Sequence, residues 1–135
     1  YITPTLTLCG YYFPMASVRA IRGAVQASSN SASAIDEATK DLLAQMASAN
    51  GLAVDDFISV IFTVSPDLNA AFPASSAREL GFTDVPLICA VEIGVPGSLE
   101  RTIRIMAHVE SELEKSQISH IYLGGAQVLR RDIAQ

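Results

Sequence analysis

The chain has 135 residues, half of them hydrophobic, which suits one domain with a real core and is short for two. Its formal net charge of −5 and the lack of any Lys/Arg-rich stripe argue against nucleic acid as a partner. No apolar run approaches the roughly 20 residues a membrane-spanning helix needs, and no Cys/His cluster, HExxH, Walker loop, GxGxxG or GxSxG occurs, which disfavours a metal centre, a nucleotide site and a serine hydrolase.

Residues 1–14 carry no charge and lack the basic region and small-residue cleavage site of a signal peptide. They read as a non-native-looking or disordered leader, with a single folded domain over 15–135. Val18 to Gln26 reads as a strand in which Gly23 permits a close approach by another segment. A loop of small polar residues follows, and Ser33 is expected to cap a helix with Asp36 and Glu37 in its first turn. Ile35, Ala38, Leu42, Leu43, Met46 and Ala49 keep helical spacing up to a left-handed stop at Asn50-Gly51. Phe57 to Val64 is a nearly continuous apolar, β-branched run and reads as a buried strand.

Pro73 can open a short helix ending near Leu80, with Gly81 beyond. Val85 to Ala90 reads as another strand. Thr102 to Glu110 alternates, with Ile103, Ile105, Ala107 and Val109 on one face and Arg104, Met106, His108 and Glu110 on the other. Helical spacing of Leu99, Ile103 and Met106 competes there, and the strand is preferred. Ile118 to Leu123 and Ala126 to Leu129 read as short extended segments around Gly124-Gly125. The order β-α-β-α-β-β with an extended tail indicates a small α+β sandwich. A mean hydropathy of +0.32 is high for such a domain and fits apolar surface held at a subunit interface.

Arginine carries most of the chemical signal, with seven arginines against two lysines, Lys40 and Lys115. Arg22 and Arg104 lie inside apolar, strand-like runs, and Arg130 closes the run Val128-Leu129-Arg130. A cation there must reach water or meet an anion, because burying it unpaired is costly. The planar guanidinium fork suits carboxylate or phosphate better than an ammonium does. These placements point to a partly buried pocket for a small anion.

Each residue also has a plainer reading. Arg22 and Arg104 could be solvated residues of an exposed strand face, and Arg78 an exposed helix residue paired with Glu79. Arg19, Arg101 and Arg131 read as surface. Glu92 is either a solvated strand end or an acceptor for a ligand hydroxyl. Cys89 is a small core residue or a thiol without a basic partner. Tyr122 is a phenolic donor beside a Gly-Gly turn or a structural tyrosine, and His108 and His120 read as structural. With Cys9 and Cys89 outside any framework spacing, reduced thiols and a cytoplasmic setting are expected. Lacking a nucleophile–base pair or carboxylate dyad, any catalysis would rest on electrostatic positioning.

Six motifs occur in order: Arg19-Ala-Ile-Arg-Gly-Ala24, Phe62-Thr-Val-Ser-Pro-Asp-Leu-Asn-Ala-Ala-Phe-Pro-Ala74, Ala77-Arg-Glu-Leu80, Val85-Pro-Leu-Ile-Cys89 with Glu92, Ile103-Arg-Ile-Met106, and His120-Ile-Tyr-Leu123 followed by Val128-Leu-Arg130. From about Val18 to Asp132 the chain resembles the AroH-class, Bacillus-type monofunctional chorismate mutases. The resemblance implies a mixed-sheet α+β fold, a homotrimer with active sites between subunits, no cofactor, and conversion of chorismate to prephenate by a Claisen rearrangement. It implies that Arg22 and Tyr122 bind a substrate carboxylate, that Arg104 donates to the ether oxygen, and that Glu92 accepts from the ring hydroxyl. Ile88, Cys89, Ala90 and Val91 would line the pocket. Phe72, Ala74, Ser75 and Arg78 would enter from the adjacent subunit, with Leu129 and Arg130 in the covering tail. Two positions depart from the family pattern: Ser75 stands where Lys can occur, and Arg131 where Pro is frequent. The alternatives are an imine/enamine deaminase of the RidA type and a non-catalytic metabolite-binding trimer.

Overall fold

The computed structural model describes residues 16–130, together with the backbone of strands β1 (Thr5–Leu8) and β2 (Tyr11–Pro14). These two strands pair antiparallel in a sheet of their own. The rest of the leader (residues 1–4 and 9–10), residue 15 and the segment 131–135, with Cys9 and Arg131, lie outside the described residues.

The domain is built from β3 (Ser17–Gln26), α1 (Ala32–Ala49), β4 (Phe57–Val64), α2 (Pro73–Glu79), β5 (Leu87–Val91), β6 (Thr102–Ser111) and β7 (Ile121–Leu123). The five strands form one sheet in the order β5-β4-β6-β3-β7. β6 runs antiparallel to β3 and β4, whereas β5 is parallel to β4 and β7 to β3. The fold is thus α+β with a mixed sheet, and Thr102–Ser111 is a strand, as its alternation indicates. Tertiary pairing on both sides explains why β6 takes the two-residue period over the competing helical one.

Alternation assigns the two faces of the sheet. Ile21 and Val25, Val60, Phe62 and Val64, and Ile103, Ile105, Ala107 and Val109 are all buried. They pack into one core with Ile35, Leu42, Leu43 and Met46 of α1 and with Ala74 and Ala77 of α2. Gly23 lies under α1. A Cβ there would sit 2.5 Å from Met46 Sδ and 3.0 Å from Leu42 Cδ1, so the missing side chain lets the helix approach the sheet.

Neither helix covers the other face. Across it run two registered rows, Arg22–Met106–Ile61–Ile88 and Ala24–Arg104–Thr63–Ala90. A one-residue slip in any strand would exchange these side chains with the core set, so burial of the opposite face fixes their position.

Four local expectations are corrected. The N-cap of α1 is Ser31, whose Oγ accepts the Ala34 N–H at 3.2 Å; Ser33 lies inside the helix, and the first turn contains no acidic residue. Asp36 instead meets Lys40 at 3.0 Å, and Lys40 reaches Glu79 at 2.6 Å, linking α1 to α2 and taking the partner expected for Arg78. Residues Gly124–Arg130 form a tight 3-10 turn where extended chain is expected. Gly124 adopts φ +56°, a left-handed conformation that reverses the chain after β7, and Ala126 then anchors the turn by complete burial. Arg19 is the fourth correction. It is only 2% exposed, with its Nε donating to the Leu113 carbonyl at 2.8 Å and Nη1 to that of Val18 at 3.1 Å.

Arg101 is also more structural than a surface reading implies. Its φ is +51°, its backbone N–H donates to Asp67 Oδ2 at 2.9 Å, and its Nε donates to the Ala27 carbonyl at 3.0 Å. The C-terminal stop of α1 is as expected. Gly51 takes φ +65°, while Leu52 N–H reaches the Ala47 carbonyl at 2.9 Å and Gly51 N–H that of Ser48 at 3.3 Å.

Candidate active site

Two adjoining hollows lie on the uncovered face and share Glu92 and Arg104. One, of about 260 Å³, is lined by Arg22, Ala24, Ile61, Thr63, Met106 and Tyr122 besides the shared pair. The other, of about 370 Å³, extends past Ser65, Pro66, Ile93 and Thr102 to Val128 and Leu129. The first has two guanidiniums facing one carboxylate, a local positive excess on an acidic protein. That balance favours an anionic ligand and leaves a carboxylate to receive a hydroxyl.

Each side chain is placed by the sheet. Glu92 follows β5 directly, and its backbone N–H continues the ladder by donating to the Val64 carbonyl at 2.8 Å. Thr63, on the neighbouring strand, donates its hydroxyl to Glu92 Oε1 at 2.7 Å. Arg104 Nε stands 3.8 Å from that same oxygen, beyond hydrogen-bonding reach but within ion-pair range. About half of the Arg104 side chain is exposed, which leaves the guanidinium accessible to a ligand.

Tyr122 pairs with Ala24 in the parallel β3–β7 ladder, which brings the phenol to the same hollow as Arg22. The Arg130 guanidinium lies 5.4 Å from the Tyr122 ring centroid, so the 3-10 turn folds back over the site through a cation–π contact.

His120 supports this edge. The backbone N–H of Arg22 donates to His120 Nδ1 at 2.9 Å, an arrangement that requires the neutral ring with its proton on Nε2. Burial lowers its pKa below the usual histidine value, and the Arg22 and Arg130 charges lower it further. The unfolded chain therefore binds more protons in the window from the ordinary histidine pKa down to the lowered one. Stability is full above that window and falls as the pH drops through it. Thermal unfolding of the wild type is expected to lose midpoint as the pH falls below the ordinary histidine pKa of 6.5, and His120→Asn, which keeps an acceptor but does not titrate there, is expected to flatten that slope. Equal slopes for the two proteins would remove His120 as the source.

The remaining site candidates divide by location. Ile88, Ala90 and Val91 are exposed on β5, with Ile88 and Ala90 in the two open-face rows. Cys89 alternates to the opposite side, pairs with Phe62 and packs partly buried against the core, so its thiol lines neither hollow. Phe72, Ser75 and Arg78 are exposed along α2 and its N-cap, and Ala74 is buried in the core. None of these four lines the hollows of its own chain. Thr63, Ile61 and Met106 are lining residues that were not singled out from the sequence. Alternation in Phe57–Val64 was the available signal for the first two, since it sets Ile61 and Thr63 opposite the buried Val60, Phe62 and Val64.

Fold and hollow together define an α+β protein that presents, on the uncovered face of its sheet, a cleft lined by two guanidiniums, a carboxylate and a phenol. The family model described as Chorismate mutase type I matches residues 18–133. The chain belongs to that family. It is 44% identical over 117 residues to Chorismate mutase AroH of Thermus thermophilus, covering 86% of this chain and 96% of the relative. It is 36% identical over 118 residues to Chorismate mutase AroH of Bacillus subtilis (strain 168), covering 87% and 93%. A solved chorismate mutase from Clostridium thermocellum superposes with a TM-score of 0.80 at 54% identity, over 81% of this chain and 97% of that one.

Proposed function

We propose that this cleft converts chorismate to prephenate, the isomerase step that leads toward phenylalanine and tyrosine. In this rearrangement the ether C–O bond breaks as a new C–C bond forms, with no proton transferred and no cofactor required. The enzyme must hold a flexible dicarboxylate in its compact reactive shape and place fixed charge where the transition state separates charge. The observation that carries the reading is the convergence of Arg22, Glu92, Arg104 and Tyr122 on one hollow in a chain of this family.

Arg22 and Tyr122 hold a substrate carboxylate. Arg104 donates to the ether oxygen as its negative charge grows, and Glu92 accepts the ring hydroxyl and balances the developing positive ring. Arg130 and Leu129 cover the cleft. The assembly is a homotrimer in the cytoplasm. Phe72, Ser75 and Arg78 of a neighbouring copy close each cleft, with Ala74 contributing backbone. Two observations support this assembly: Phe72 is 71% exposed in the single chain, and Ile61, Ile88 and Val18 leave apolar surface on the uncovered side. No helix among the described residues is long and apolar enough to cross a membrane. The catalytic domain runs over 15–135, with residues 1–14 outside it. Nothing in the hollow favours the imine/enamine deaminase or the non-catalytic module.

Loss of chorismate absorbance on adding purified protein tests the reading, and unchanged absorbance at saturating chorismate would sink it. Within it, Arg22→Ala is expected to raise KM about ten- to a hundredfold with a smaller change in kcat. The carboxylate it holds is charged in ground and transition state alike, and a charge-assisted hydrogen bond is worth about 1.5–3 kcal/mol. Steady-state kinetics on that variant reads the split.

A further inference from the structure

We propose that Thr63 is a positioning residue for Glu92, one that selects which carboxylate oxygen meets the substrate and keeps Arg104 from being neutralised. The inference rests on the reading of Glu92 as acceptor of the ring hydroxyl. Three pieces of geometry lead to it. The Thr63 hydroxyl donates to Glu92 Oε1 at 2.7 Å, and Arg104 Nε faces that same atom at 3.8 Å. Among the described residues Oε2 receives no hydrogen bond, which leaves it as the oxygen presented to a ligand. Thr63 is also the residue of β4 registered against Arg104 of β6 on one side and Ala90 of β5 on the other, so its hydroxyl lies on the row that carries the cation.

A threonine on an open strand face can satisfy its hydroxyl with water. Here it is spent on the carboxylate that lines both hollows. Without that donor, Oε1 would seek its next available partner, the Arg104 guanidinium. A contact of 3.8 Å would then close to a direct hydrogen-bonded pair. Such a pair turns the guanidinium away from the ether oxygen and rotates Oε2 away from the ring hydroxyl. Thr63 thus keeps two opposite charges adjacent but unquenched, each available to a different end of the reacting system. The β-branch contributes as well, since it restricts χ1 and holds the hydroxyl in one direction.

The test compares Thr63→Val, Thr63→Ser, Glu92→Gln and the Thr63→Val/Glu92→Gln double variant by steady-state kinetics on chorismate, with thermal midpoints recorded alongside. Thr63→Val preserves shape and is expected to lower kcat about tenfold or more, the scale of one hydrogen bond to a charged group, with KM within about threefold. Thr63→Ser restores most of kcat because it returns the hydroxyl. In the Glu92→Gln background the valine substitution has little further effect, since the two residues act through one atom. Wild-type kcat in Thr63→Val beside an impaired Glu92→Gln would overturn the inference alone. A serine variant as impaired as the valine one would do the same by showing that the methyl group matters and the hydroxyl does not. An unimpaired Glu92→Gln would overturn the reading of Glu92 and this inference with it.

Discussion

Arg104→Ala is expected to lower kcat by about a hundred- to a thousandfold, the loss seen when a preorganised donor is removed from a developing oxyanion. Prephenate or a dicarboxylate analogue should still bind measurably, because Arg22 and Tyr122 remain in the hollow. The effect falls on turnover because the ether oxygen carries more negative charge in the transition state than in bound chorismate. Stability should hardly change. The side chain is about half exposed, and its ion-pair contact with Glu92 is long, at 3.8 Å. Arg104→Lys should rescue only in part, since a point charge on a flexible stem does not reproduce the guanidinium fork. Rate and inhibitor-binding measurements on the two variants suffice, and near-normal kcat in the alanine variant would refute the role.

The second large effect has the opposite character. Phe62→Ala is expected to destabilise the fold by about 3–5 kcal/mol, the usual cost of truncating a buried aromatic, and to lower the thermal midpoint by roughly 10–20 °C. Phe62 is completely buried and heads the fully buried side chains in size. It sits on β4 between Cys89 of β5 and Ile105 of β6, against the helices. Truncation leaves a cavity that rigid strand backbones cannot collapse. Yet Phe62 lies on the core side of the strand that carries Thr63 on the site side. At a temperature where the variant is folded, kcat should therefore stay within about tenfold of wild type. Circular-dichroism melting and low-temperature kinetics separate the two effects, and a melt unchanged by the substitution would contradict the packing argument.

The two predictions reflect the two faces of one sheet, and legibility from sequence followed the same division. Core-facing strand residues were legible because apolar alternation is a local pattern with a fixed period. Ile103, Ile105, Ala107 and Val109 were placed correctly on that basis alone. The arginines in apolar runs were legible as an anomaly, because a cation in such a run needs water or an anion. Which arginine does which was not legible from composition and periodicity, and came only as an implication of the family resemblance. Arg19 and Arg22 stand three residues apart in the same strand, yet the first is buried against the Leu113 carbonyl and the second lines the hollow. Odd and even positions of β3 face opposite sides, and only pairing with β6 and packing under α1 decide which side is closed.

The helix cap and the tail show the same limit on a smaller scale. Ser31 and Ser33 are chemically equivalent caps, and choosing between them depends on where the backbone leaves β3 and meets the sheet. The segment after Tyr122 offered no strong period, and its 3-10 form is set by the reversal at Gly124 and the burial of Ala126.

By itself, then, the sequence determined the α+β order of elements, the apolar side of β6 and the family to which the chain belongs, because all three are written in local periodicity and in motifs of near-constant spacing. The tertiary structure alone decided how Arg22, Glu92, Arg104 and Tyr122, grouped in the sequence only by family resemblance, meet and that Thr63 joins them, because the five come from separate segments joined by strand register. It also decided that Cys89 does not join them, for the plain reason that successive side chains on a strand point to opposite faces.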